Sequence, residues 1–366
     1  MSDEILKHKD LVIEWNKEIK GYIVVDVKDK GIKEVVVPDG VKIISKGAFS
    51  NCESLKSITI PEGVKEIERS AFINCWNLEK IKLPDSIKEI GEYAFERCEN
   101  LKEINIPEGI ERISDSLFRS CESLESIKLP DSIKMIDYYA FNNCINLKVI
   151  NILEGVKKIG YCAFNNCKKL ESIKLPDSLK EIGTHTFENC KNLKEINIPN
   201  GIKEIDNFVF SNCRKLESIK LPDSVKMIGE SAFESCINLK EINIPEGVER
   251  IVKGAFIDCI NLESIKLPKS LKTIDAFTFA YCKNLKEINI PEGIEIIGGG
   301  VFWDCKKLRN ITLPKSLKEI YSKTFAGCEN LNITMYDDAK IIGNDTFTNC
   351  KNLKIQKQKS KKSLKM

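Results

Sequence analysis

The sequence predicts an α/β repeat solenoid of about fourteen 23-residue units, mostly short parallel strands joined by short helical turns. Phe-x-x-Cys recurs thirteen times at an interval of 23 residues, from Phe49/Cys52 to Phe325/Cys328, and once more at Phe347/Cys350 after 22. All twelve prolines, from Pro38 to Pro314, occupy one position of that repeat. Ahead of each such position runs a Leu-x-x-Ile-x-Leu-like alternation, the mark of a half-buried strand. Self-similarity at this period means that each unit buries its apolar face only against its neighbours.

Residues 1–31 fall outside the register and are expected to form an N-terminal cap. Within them Leu11 to Trp15 and Tyr22 to Val27 read as two strands able to cover the first unit, with Trp15 as an anchor. The solenoid is assigned to 32–353, and the unit from Leu170, LESIKLPDSLKEIGTHTFENCKN, is typical. Ile173 and Leu175 share one face of its first strand while Lys174 points away. Pro176 ends the strand, where a missing backbone donor is tolerated. Asp-Ser here, Glu-Gly in alternate units, makes a turn, and Leu179 to Ile182 forms a second extended piece. Phe187, Cys190 and Leu193 then lie three apart, a spacing that turns one side inward over a tight helical turn. Residues 354–366, with six lysines and no acid, are expected to be a basic disordered tail.

Composition fits a globular chain, with 42% hydrophobic and 30% charged residues and a formal charge of +3. Without the tail lysines, 51 basic residues face 54 acidic ones, a balance that gives no reason to expect nucleic acid or a membrane surface as partner. No stretch approaches the apolar length of a membrane span or a signal peptide, so a cytoplasmic location is expected. Fourteen of the fifteen cysteines are the ladder cysteine of a unit, flanked by inward phenylalanine and leucine. They read as buried thiols rather than a disulfide framework, which suits a reducing compartment.

A second period of 46 residues overlies the first, because LESIKLPDS-like units alternate with LKEINIPEG-like ones. At the second position Lys56, Glu79, Lys102, Glu125 and Lys148 alternate, and so on to Lys286, which stacks opposite charges on adjacent rungs. This reads as duplication of a two-unit block that relieves repulsion, or as a polar sheet face for an extended partner. At the turn, acids from Asp39 to Asp223 run in step with lysines from Lys42 to Lys226, and Lys269 and Lys315 replace the acid later on.

Positions not needed for stacking are free to specialise, and the three before Ala-Phe vary most. They hold Tyr138, Tyr139, Tyr161, Cys162, His185 and Phe208. Aromatics with a polar handle are the side chains that interface hot spots use, so Tyr138, Tyr139, Tyr161, His185 and Phe208 are the candidate partner-binding residues. Shielding of the core edge is the structural alternative. Catalysis has little to work with: there are two histidines, His8 and His185, and no P-loop, Gly-x-Ser-x-Gly, Cys-x-x-Cys or His-Glu-x-x-His. Cys162 and His185 offer two ligands for a zinc-dependent activity but no evident third, so neither metal nor cofactor is expected.

Leu-x-x-Ile-x-Leu-Pro, then Val-x-x-Ile, then Ala-Phe-x-x-Cys-x-x-Leu resembles the repeat of the BspA-like leucine-rich repeat family over about residues 32 to 353. The resemblance implies a leucine-rich-repeat arc and a non-catalytic protein-binding role. It further implies adhesion in many cases, with display at the cell surface and host surface or matrix proteins as partners.

Overall fold

The computed structural model describes residues 5–359, which fall into two compact units divided between Lys191 and Asn192. In the first unit, β1 (Leu11–Asn16) and β2 (Gly21–Val27) pair antiparallel, and β2 then runs parallel to β4 (Val41–Ile44). Leu11 and Val24 are fully buried, whereas Trp15 is half exposed and sets its ring edge on Tyr22 at 5.0 Å. β3 (Glu34–Val36) starts a separate parallel row continued by Ser57–Thr59 and Lys80–Lys82.

Most coils thus supply one strand of two or three residues to a first row, before proline, and one of two residues to a second row after the turn, while at Asn197 and Lys220 the first row is reduced to isolated bridges. Equivalent residues 23 apart face each other, as Ile58 with Ile81 and Ile67 with Ile90. Parallel ladders need neighbours, and here every neighbour is the preceding or following copy. The second unit repeats the scheme from Glu204–Ile205 and Glu241–Asn243 onward. Its 22-residue step is absorbed ahead of the strand, since Asn310, Ile311 and Thr312 face Asn332, Ile333 and Thr334 in register.

No element among the described residues is a helix, which corrects the expected short helical turns. Around Phe72 the amides alternate in purpose. Ala71, Ile73 and Cys75 donate to carbonyls three residues back, while Ser70, Phe72 and Asn74 donate to Glu92, Ala94 and Glu96 of the next coil. Ser70 and Asn74 reach this geometry at φ of 57° and 60°, and a left-handed residue at every fourth position stops a helix from forming. The inward spacing holds nonetheless. Phe49 to Phe164 in the first unit and Phe233 to Phe302 in the second are buried and stack with centroids 5.0 to 5.9 Å apart.

All fifteen cysteines are free, and only Cys350 is partly exposed. Most buried ladder thiols also have a partner. Cys75 Sγ donates to the Phe49 carbonyl at 3.1 Å, and the same bond recurs to Cys190 in the first unit and from Cys236 to Cys350 in the second. Burial pushes the Cys52 thiol up to about 11 and those deeper in the stack further.

The 46-residue alternation has a hydrogen-bonding basis at the turn. Gly155 sits at φ +101°, where a side chain would be strained, and donates its N–H to Ser178 Oγ of the next coil, which in turn donates to the Val156 carbonyl. Glu154 accepts from the Asp177 and Ser178 amides. A Glu-Gly coil and the Asp-Ser coil after it therefore cap each other's turns. Residues Lys354–Gln358, expected to open the tail, form a strand instead, because Asn332–Tyr336 offers them a full row of partners. Residues 360–366 of that expected tail lie outside the described residues.

Candidate functional site

The position two before the ladder phenylalanine is left-handed in every coil of this stretch: φ is 56° at Tyr139, 54° at Cys162 and 59° at His185. That backbone ends one turn and starts the next, so its side chain sits at the edge of the Phe stack. Little in the fold dictates the residue there, which is why it varies.

In the first unit these side chains and their neighbours form a row across successive coils. The Arg119 guanidinium lies over the Tyr139 ring at 5.4 Å. Tyr139 meets Tyr161 edge to face at 5.2 Å, and Tyr161 meets His185 edge to face at 5.5 Å. At the far end His185 Nδ1 is 2.7 Å from Glu188 Oε2, which also accepts from Asn165 Nδ2 at 2.8 Å. Edge-to-face contacts and a cation over a ring fix side chains that would otherwise rotate. Tyr161 is 37% exposed and Tyr138 48%. Tyr138 lies beside Lys158, whose ammonium is 6.0 Å from its ring centroid and pairs with Glu181 at 2.8 Å. Gly160 makes room for it: a Cβ there would come within 2.9 Å of Tyr138 Cδ1.

The structure brings Tyr139, Tyr161 and His185 together but draws Cys162 inward. Cys162 is 6% exposed, and burial raises its thiol to about 11. A hydrogen bond with that thiol is the main reason the Tyr161 hydroxyl titrates above its ordinary value. Tyr161, one residue earlier, therefore takes the surface place expected of Cys162. Phe208 has the equivalent left-handed backbone, φ 57°, in the second unit, where its amide bonds the Glu230 carbonyl. Arg119 and Glu188 escape a reading confined to the positions before Ala-Phe. They stand directly after the ladder phenylalanine, in the row Arg119, Asn142, Asn165 and Glu188, and comparison of that row across coils would have found them.

The strand face is shallower. A groove of about 460 Å³ runs over Lys80, Lys82, Glu103 and Lys128, and one of the same size over Lys220, Glu241 and Lys266 in the second unit. The expected charge pairing is present at Glu125–Lys148, 2.8 Å, and Glu263–Lys286, 2.6 Å. Among the described residues no group of three His, Cys, Asp or Glu side chains is arranged to hold a metal, and no helix is long and apolar enough to cross a membrane. His8 acts locally, its Nδ1 accepting from the Asp10 and Leu11 amides.

No curated protein matches the sequence. Among solved structures the chain is similar to a leucine-rich repeat protein from Bacteroides ovatus, at 28% identity and a TM-score of 0.73 over 94% of this chain and 92% of that one. It shares its fold with a leucine-rich cell surface protein from Faecalibacterium prausnitzii, at 24% identity and a TM-score of 0.52 over 97% and 94% of the two chains. The pneumococcal vaccine antigen PcpA is alike in fold at 21% identity and a TM-score of 0.52, covering 92% of this chain and 100% of its own. The model of the BspA type leucine rich repeat region matches residues 27–148, 134–262 and 226–354. With coils, ladders and Ala-Phe-x-x-Cys turns accounted for over nearly its whole length, the chain belongs to the BspA type leucine-rich repeat family.

Proposed function

We propose that this protein is a non-catalytic scaffold that binds another protein through the aromatic row of its first unit, with Tyr138, Tyr139, Tyr161 and His185 as contacts and Phe208 as an equivalent contact in the second unit. The observation that carries the proposal is the edge-to-face series from Tyr139 through Tyr161 to His185, held at one end by Arg119 and at the other by Glu188. Rigid amphipathic rings of this kind provide contact area at low entropic cost. Membership of the family extends the proposal to display at the cell surface, with a host protein as partner.

The test is affinity capture with the wild-type chain and a Tyr139→Ala/Tyr161→Ala variant, followed by titration of the captured protein. Hot-spot truncation costs about 2 kcal/mol or more, so Kd should rise roughly 30-fold in the variant. Equal affinity for both would remove the row from the interface. Surface proteolysis of intact native cells addresses location: loss of the chain supports display, and full protection refutes it.

A further inference from the structure

The second unit departs from its own repeat at one place. At the turn position that carries acid or asparagine from Asp39 to Glu246, Lys269 and Lys315 appear. At the position held by proline in neighbouring coils stands Tyr336. These departures converge. Lys269 and Tyr336 line one cavity of about 510 Å³, with Pro291, Pro314, Leu267 and Leu313 among its other walls. The Lys315 ammonium lies 5.7 Å from the centroid of the Tyr336 ring.

Lys266 and Lys269 line the cavity together with Glu246 and Glu292, and Lys315 stands just outside it beside Tyr336. Glu246 is engaged by the Lys269 amide at 3.0 Å and by Lys266 Nζ at 3.3 Å, and Glu292 accepts from the Lys315 amide at 3.3 Å. The acids are thus occupied with turn capping. Among the described residues, neither the Lys269 nor the Lys315 ammonium is in a salt bridge. Two cations therefore stand beside an aromatic and proline-lined hollow, where elsewhere in the chain two carboxylates and a proline would stand.

We propose that this cavity is a second docking site, independent of the aromatic row, for an extended acidic peptide segment in which Asp or Glu alternates with apolar residues. Carboxylates would meet Lys269 and Lys315, and an apolar side chain would lie against Tyr336, Pro291 and Pro314. The three deviant residues act together in this reading, whereas relief of repulsion between neighbouring turns would account for the lysines but not for Tyr336.

The test uses the full chain and a fluorescein-labelled peptide, acetyl-Glu-Leu-Glu-Leu-Glu-Leu-amide, followed by anisotropy, with the Gln-Leu counterpart as control. Saturable binding is expected below about 1 mM, weakened by salt and absent for the Gln-Leu peptide. Lys269→Asp/Lys315→Asp restores the residue of other coils, so it should fold as wild type does while raising Kd at least tenfold. Tyr336→Ala should raise it as well. Tyr139→Ala/Tyr161→Ala should leave it unchanged, which separates this site from the aromatic row. Failure to saturate, equal binding of the Gln-Leu peptide, or an unaltered Kd in the double aspartate variant would each overturn the proposal.

Discussion

Truncating one rung of the phenylalanine ladder probes whether the stack carries the stability of the first unit. Phe141 is 0% exposed and lies between Phe118 and Phe164, with centroids at 5.5 and 5.2 Å and interplanar angles of 19° and 4°. A buried phenylalanine removes about 150–250 Å² from water, roughly 4–6 kcal/mol at 25 cal/mol per Å². What alanine retains and what the unfolded chain already buries reduce this to about 3–5 kcal/mol, the same range as measured Phe→Ala losses. The coupling of each coil to its neighbours means the loss is felt across several coils. For a unit of 191 residues, Phe141→Ala should lower Tm by about 6–20 °C. Amide exchange should quicken in the coils on both sides, whereas exposed Tyr138→Ala should cost under about 1 kcal/mol. Urea unfolding with native-state hydrogen exchange is the assay. A loss under about 1 kcal/mol for Phe141→Ala would show that the stack is loosely packed and refute the reasoning.

Glu66 faces Glu89 across the second strand row, and burial, then the Glu89 and Glu68 carboxylates, hold its pKa above the ordinary value. The folded state therefore prefers the proton more than the unfolded chain does, and ionising Glu66 costs stability as pH rises through the raised pKa. Glu66→Gln should accordingly stabilise the protein at neutral pH and lose that advantage below the ordinary glutamate value of about 4.3, as read from urea midpoints at the two pH values. A pH-independent difference would reject this account. With a thiol reagent such as a dithiobis-nitrobenzoate, Cys350 should react first in the native protein and the fourteen buried cysteines only on unfolding. Rapid native reaction of several thiols would contradict the ladder.

The repeat period made the coil, its two strand rows and the inward Phe, Cys and Leu positions legible, because parallel stacking demands the same residue at the same place each time. The conformation of the Phe-x-x-Cys segment was not, since a spacing of three suits a helix as well as a string of turns. What decides between them is donation from alternate amides to the next coil, a long-range choice with no local signature. Left-handed Tyr139 is likewise unannounced, because tyrosine does not favour that backbone as glycine or asparagine does. The 46-residue alternation reads as charge in the sequence, yet at the turns Gly155, Ser178 and Glu154 make it a matter of capping. In the candidate site the aromatic residues were visible as variation, while the inward turn of Cys162 depended on its neighbour Tyr161 taking the exposed place.

The alternation of amides around each ladder phenylalanine also has a mechanical side. Within a unit, a coil at an exposed end is held by one file of bonds on the turn side and two short ladders, and all of them lead to a single neighbour. Tension on that end loads these few bonds together while the coils behind stay unloaded. Length should therefore be released in quanta of one coil, about 80 Å of contour for 23 residues at roughly 3.5 Å each. A unit built this way should lengthen in steps under load instead of breaking at once.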